Sequence, residues 1–425
     1  MYSSDYEHAL NLEQNCKWRE AAEQYEHILK NTFSVAILSK CGWCYSRAGE
    51  YEQAIKKYQL LINEEQSNPK WYYLMGYQYY IQNKWSDAVY YFDKALELNP
   101  KYFKVLYKNA YAYLKIAGEY LKLQKSEYWK ALGLLDEAHK VWISMDSEQQ
   151  TSEKHTYFNV NFLHGKALSG IQTHNSRAIT YFKTALEIKE DVICRYNLSK
   201  TYYIIGDYEN AWNNLPNTSE FYVKELKAYI LTKKGDVQGA INLLNSLIAK
   251  NPKDYLFVAL SENYLVIGQY YDAIVAAQKA IVLKKSNHKA YCVLAKSYLK
   301  LGLLKMAREG LERAISIKRE RFNSDYEECH KLLNLVNSQI SDNYEDDPII
   351  IKKIKNLQHF TNDVGKIVKF FPQKKYGFIS SKNNGDVFFH VSECNFEVKI
   401  GLFVAFVCQS TAKGVTAKSV VVKYK

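Results

Sequence analysis

Proline and glycine are scarce, with 6 and 18 in a chain of 425 residues. With so few breakers, most of the chain is expected to be helical. No apolar run approaches the roughly 18 residues that a membrane span needs, so none is expected. The opening stretch MYSSDYEHALNLEQ has no basic-then-apolar pattern, and no signal peptide is expected. The 8 cysteines (Cys16, Cys41, Cys44, Cys194, Cys292, Cys329, Cys394, Cys408) are scattered. In a chain this long they do not read as a disulfide framework. Cys41 and Cys44 form a C-x-x-C, but no second ligand pair stands at zinc spacing. Two buried helix cysteines, no metal and a reducing, cytoplasmic setting are the expectation. The phosphate loop, the H-E-x-x-H zinc motif and the G-x-S-x-G elbow are also missing. Adjacent Cys329 and His330 point to different helix faces, which argues against a Cys–His dyad. Neither enzyme activity nor a cofactor is expected.

What is present is apolar surface, tyrosine and positive charge. Hydrophobic residues make up 47% of the chain, enough for a large core and against wholesale disorder. The length calls for more than one domain. A net charge of +12 biases the chain toward anionic partners. Tyrosine alone accounts for 37 residues.

The strongest pattern is an internal period. WREAAEQYEHIL at 18, YEQAIKKYQLLI at 51, WSDAVYYFDKAL at 85, NSRAITYFKTAL at 175, DVQGAINLLNSL at 236, YYDAIVAAQKAI at 270 and LKMAREGLERAI at 304 share one shape. Their first alanines in register are Ala21, Ala54, Ala88, Ala178, Ala240, Ala273 and Ala307, spaced by 33 or 34 where the series is unbroken. Before each lies a second amphipathic helix carrying a small residue and a large one three later: Gly42 with Tyr45, Gly76 with Tyr79, Ala110 with Tyr113, Ser261 with Tyr264, Ala295 with Tyr298. Pro100 and Pro252 follow the second helix of their units, where a helix must stop.

This array resembles the tetratricopeptide repeat, whose paired antiparallel helices stack into a solenoid. About nine hairpins are expected within residues 1–341, with SDYEECHKLLNLVNSQI as a terminal solvating helix. Two units are irregular: one from Phe103 carries extra residues and longer helices, and one around Tyr202, Tyr208 and Ala211 ends early at Pro216. The resemblance implies a concave groove lined by first helices. Mapped onto this chain, its positions hold Tyr73, Tyr77, Tyr80, Tyr107, Tyr111, Tyr196, Tyr203, Tyr222 and Tyr229, with Lys70, Lys104, Lys115, Lys200, Lys289 and Lys296 on the same surface. Tyrosine suits peptide side chains and unstacked bases alike, and it also packs between helices.

Composition changes after residue 341. SDNYEDDPIIIKKIKNLQHFTND reads as a linker over 342–362, with IIIKKIKNL as a short strand or turn. From 363 to 425 five short β-runs follow: KIVKFF, KYGFIS, DVFFHV, LFVAFVC and AKSVVVKY. Five strands in so short a span fit a small closed barrel of the oligonucleotide/oligosaccharide-binding (OB) class. The fold class is therefore mainly α: an α-solenoid followed by a small all-β OB-fold barrel.

KKYGFI and VFFHV resemble the two nucleic-acid-binding motifs of the cold-shock domain, in order and spacing, with Gly365, Ser392, Gly401 and a late AKG in support. The resemblance implies single-stranded RNA or DNA as ligand, with bases stacked on aromatic faces. Strand alternation puts Tyr376 with Phe378, and Phe388 with His390, on one sheet face. The implied contact set is Lys369, Phe370, Phe371, Lys374, Lys375, Tyr376, Phe378, Phe388, His390, Phe396 and Lys413. The chain departs from the family at three positions and in a turn one residue shorter after the first strand. Phe370 and Phe371 stand where tryptophan and phenylalanine are usual, with Lys369 an alternative at the tryptophan position. Lys375 replaces a glycine, and Val391 an aromatic. Ten lysines against four acids give this segment a net +6, half of the chain's +12.

The expected function is a non-enzymatic adaptor: the barrel holds single-stranded nucleic acid and the solenoid docks a protein partner. Two other readings are open, a solenoid that is itself the RNA sensor, and a chain that regulates a separate effector enzyme.

Overall fold

A computed structural model describes residues 4–119, 125–170, 174–341, 343–357, 360–381, 384–394, 396–411 and 414–422. They form two compact units, Met1–Pro216 and Asn217–Lys425.

The first unit is a run of helical hairpins: α1 (Ser4–Gln14) with α2 (Trp18–Asn31), α3 (Val35–Arg47) with α4 (Tyr51–Glu64), α5 (Pro69–Ile81) with α6 (Trp85–Leu98), α7 (Phe103–Glu119) with α8 (Lys125–Ser144), α9 (Ser147–Gly170) with α10 (Asn175–Ile188), and α11 (Val192–Ile204) with α12 (Tyr208–Asn213). The two expected irregularities are here. Helices α7, α8 and α9 run to 17, 20 and 24 residues, while α12 has 6. The second unit continues with α13 (Phe221–Lys234) and α14 (Val237–Lys250), α15 (Asp254–Val266) and α16 (Tyr270–Leu283), α17 (His288–Lys300) and α18 (Leu304–Phe322), then α19 (Glu327–Gln339) and α20 (Pro348–Leu357). No helix among the described residues is long and apolar enough to cross a membrane.

The repeat's small residues explain the hairpins. All seven register alanines, from Ala21 to Ala307, are fully buried. On the first helices, a side chain at Gly76 would begin 2.8 Å from the Phe92 ring, so only glycine lets α5 and α6 close over that ring. Several hairpins then turn the same way. The amide of Glu50 donates to the carbonyl of Tyr45 at 2.9 Å, Lys84 to Tyr79 at 3.0 Å, Gln269 to Tyr264 at 2.9 Å and Leu303 to Tyr298 at 3.0 Å. These six-to-one bonds close the first helix, and each needs a left-handed residue just before the donor. Glycine supplies it at Gly49, Gly268 and Gly302, whereas Asn83 (φ 59°) and Cys16 (φ 58°) adopt it with a side chain.

Residues 344–357 do not run free. The Asp346 carboxylate accepts from the amides of Lys305 and Met306 at 3.0 and 2.9 Å, capping the N-terminus of α18. The Tyr344 hydroxyl donates to the carbonyl of Gly302 and accepts from the amide of Leu304. IIIKKIKNL, expected as a strand or turn, is helix α20. Its Ile350, Ile351 and Ile354 pack against Ile274, Leu303 and Ala307, and this three- and four-residue spacing suits a helix face rather than a strand.

The barrel comprises β1 (Phe360–Phe371), β2 (Tyr376–Ser381), β3 (Gly385–His390), β4 (Phe403–Thr411) and β5 (Gly414–Val422). They close in the order β1-β2-β3-β5-β4, antiparallel except for β3 with β5. Ile367, Ile379, Val387, Phe389, Val404 and Phe406 fill the interior.

Candidate nucleic-acid interface

Antiparallel register decides which side chains share the outer face of β1–β3. Lys369 pairs with Phe378 and Phe371 with Tyr376, while Phe378 pairs with Phe388 and Tyr376 with His390. Paired residues project to one side. The result is two rows, Lys369–Phe378–Phe388 and Phe371–Tyr376–His390. Ring centroids lie 5.1 Å apart for Phe371–Tyr376, 5.4 Å for Tyr376–Phe388 and 5.9 Å for Phe378–Phe388. Tyr376, Phe378 and Phe388 are half-buried, and Phe371 and His390 are exposed. Alternation sends Ile379, Val387 and Phe389 to the opposite side, into the core. The outer rings are therefore not what fills the barrel.

His390 is held by its neighbour. Its Nδ1 accepts from the Ser392 amide at 3.2 Å and lies 2.8 Å from the Ser392 hydroxyl. In the neutral ring the proton then sits on Nε2. Lys369, Lys374 and Lys375 are exposed, and no ion pair among the described residues involves them. Lys375 adopts the left-handed conformation (φ 54°), and its carbonyl accepts from Val391 at 2.8 Å, tying the β1–β2 turn to the end of β3.

Two of the expected contact residues go elsewhere. Phe370 points inward and stacks on Phe389 with centroids 6.4 Å apart, and Phe396 also packs against the barrel core. A register shift between Ile367 and Lys369 is the reason. It rephases the strand, so that Lys369, not Phe370, faces Phe378. Lys413 lies outside the described residues.

In the repeats, the expected groove tyrosines fall in both compact units. Tyr73, Tyr77 and Tyr80 on α5 meet Tyr107 and Tyr111 on α7, with Tyr80 and Tyr111 centroids 5.5 Å apart. Tyr196 and Tyr203 stand on α11, the latter 5.7 Å from Tyr208. Tyr222 and Tyr229 belong to α13 in the second unit, and the Tyr229 hydroxyl donates to Glu225 at 3.1 Å. Of the expected groove lysines, Lys104 pairs with Glu153 at 3.0 Å and Lys296 with Glu328 at 2.5 Å. The sequence reading missed Lys108. Its ammonium sits 4.8 Å from the ring centroids of both Tyr77 and Tyr80. The signal was the spacing Lys104, Lys108, Tyr111, Lys115, one face of a helix.

Known proteins match both parts. The tetratricopeptide repeat matches residues 37–70, 69–102 and 288–321, and the 'Cold-shock' DNA-binding domain matches residues 364–423. Human Superkiller complex protein 3 is 27% identical over 167 residues, which are 37% of this chain and 10% of that protein. The chain thus spans about a tenth of that relative's length. Among solved structures, MamA is 20% identical, with TM-score 0.36 over 45% of this chain and 97% of that one. The TPR2AB domain of yeast Sti1 in its pHSP90 complex is 19% identical, with TM-score 0.27 over 63% of this chain and 98% of that one. The Cut9–Hcn1 hetero-tetramer of APC/C is 14% identical, with TM-score 0.39 over 78% of this chain and 83% of that one. Repeat register, barrel topology and the family matches agree: this is a tetratricopeptide repeat protein with a cold-shock domain at residues 364–423.

Proposed function

We propose that the chain is a non-enzymatic adaptor, whose barrel stacks the bases of single-stranded RNA or DNA and whose repeats dock a protein partner. The observation that carries this reading is the five-ring array on β1–β3, two rows deep and separate from the core. Rings so placed offer stacking faces, each contributing about 1–3 kcal/mol per base largely without regard to base identity. Lys369, Lys374 and Lys375 stand beside them for phosphates. Paired bases cannot reach such rings, so the ligand is a single strand. The repeats and the cold-shock domain are non-catalytic kinds of domain.

The test is a titration of the full chain with labelled oligouridylate and with a duplex of equal length. Strong preference for the single strand is expected, lost in the Phe378→Ala, Phe388→Ala double variant while circular dichroism is unchanged. Equal affinity for duplex and single strand would sink the stacking reading.

A further inference from the structure

The outer face of the barrel does not stop at β1. Along β4, alternation sends Val404 and Phe406 into the core and Phe403 outward, where it is 45% exposed. Phe403 pairs with Lys366 of β1, and Lys366 pairs in turn with Ser380 of β2. Paired residues project to one side, so the Phe403 ring shares the outer side of β1 with Lys369 and Phe371. The register shift between Ile367 and Lys369 turns Val368 out as well, 37% exposed. The amide of Gly401 donates to the carbonyl of Ile367 at 2.8 Å, which brings the turn holding Ile400, 65% exposed, alongside Val368. Gly401 leaves room for the lysine stem: the Lys366 Cε lies 3.9 Å from where a side chain would begin. Among the described residues no carboxylate pairs with Lys366.

Single exposed apolar side chains are ordinary, but Phe403, Val368 and Ile400 adjoin one another and the ring face, and adjoining apolar surface marks a binding site. The occupant follows from chemistry and continuity. A ring with a free lysine beside it repeats what β1–β3 offer, a stacking face next to a phosphate partner. β4 lies one strand spacing, about 4.8 Å, from β1, so a strand leaving the Lys369–Phe378 row reaches Phe403 with no break in the surface. The contact set that the family resemblance implies holds no residue of β4. We propose that Phe403, flanked by Lys366 and Val368, stacks a further base of the same single strand, so that the nucleic acid crosses β1 onto β4. This rests on the stacking reading of β1–β3 and extends it by one subsite.

The experiment titrates the full chain with labelled oligouridylates of increasing length, about four to ten nucleotides, within the range of site sizes for such barrels. Affinity should rise with length and level off. Phe403→Ala should weaken the longest oligomers about tenfold, spare the shortest and bring the plateau about one nucleotide earlier. Phe403→Tyr should bind like the parent. Lys366→Gln should lower the salt slope by about 0.7 on long oligomers and leave it alone on short ones. Phe403 is outside the core, so the melting temperature of Phe403→Ala should match the parent's. A loss equal at every length, or one that comes with a drop in melting temperature, would make Phe403 structural and overturn the proposal. So would unchanged binding by both Phe403→Ala and Lys366→Gln at every length; a change in sedimentation of those variants would then assign the patch to a second copy of the chain. If the parent shows no preference for single strands at any length, the stacking reading of β1–β3 falls, and the subsite with it. If Phe378→Ala with Phe388→Ala abolishes binding while Phe403→Ala changes nothing, only the added subsite falls.

Discussion

Neighbouring residues of the barrel have opposite jobs. Phe388 is on the ring face and Phe389 in the core, one position apart. Phe388→Ala should cost about 1–3 kcal/mol of oligonucleotide binding and little stability. Phe389→Ala should cost about 3–5 kcal/mol of stability and take binding with it. Paired urea titrations and binding isotherms separate the two, and a large stability loss from Phe388→Ala would mean that the outer ring is core. Lys375 is a second case. Its left-handed backbone costs about 1 kcal/mol that glycine avoids, so Lys375→Gly should stabilise the barrel while reducing the salt slope of binding by about 0.7. A stabilised variant with an unchanged slope would remove Lys375 from the phosphate contacts.

At the scale of elements, α8, α9 and α10 enclose two histidines that the sequence offers only as isolated residues. His164 is fully buried, stacked on Tyr181 at 3.9 Å, with His139 at 5.3 Å. Among the described residues neither His164 nitrogen has a hydrogen-bond partner, and Asp136 stands off at 3.7 Å. Burial pushes His164 down to about 3 and His139 down to about 4, with His139 and Arg177 adding to the shift of His164. The unfolded chain therefore binds protons below about pH 6.5 that the folded chain refuses. Stability should be full above that pH and fall as pH drops toward 4, and His164→Asn should flatten the fall in thermal melts. An unchanged slope would place the acid sensitivity elsewhere. The Asp346 cap is testable in the same unit as α18: Asp346→Ala removes an acceptor from two helix N-terminal amides and should cost about 1–2 kcal/mol, read from the melting temperature.

For the whole molecule, the question is which part meets phosphate. If the barrel does so through Lys369, Lys374 and Lys375, log affinity against log salt on a short oligouridylate should have a slope of about −2. Changing Lys104, Lys108 and Lys115 to glutamine should leave that slope alone. A slope that falls with the repeat lysines, on short or long oligonucleotides, would make the repeats the nucleic-acid receptor and reverse the division of labour proposed above.

Much of this is legible in the sequence alone. The period of 33 or 34, with alanine where helices touch, determined the repeat, because close helix packing accepts only small residues at fixed spacing. The irregular unit after Phe103 and the short one before Pro216 were visible for the same reason. Strict alternation and two aromatic motifs determined the barrel and placed Tyr376, Phe378, Phe388 and His390 on one face. Tertiary structure decided the rest. Whether Phe370 or Lys369 faces the ligand depends on a bulge that alternation along the chain does not reveal. IIIKKIKNL became a helix because its isoleucines found the surface of α16–α18, a contact made between elements far apart in sequence. Lys108 stood out only once α5 laid Tyr77 and Tyr80 against it, since the absence of a carboxylate around a lysine is a property of its surroundings and not of its own segment.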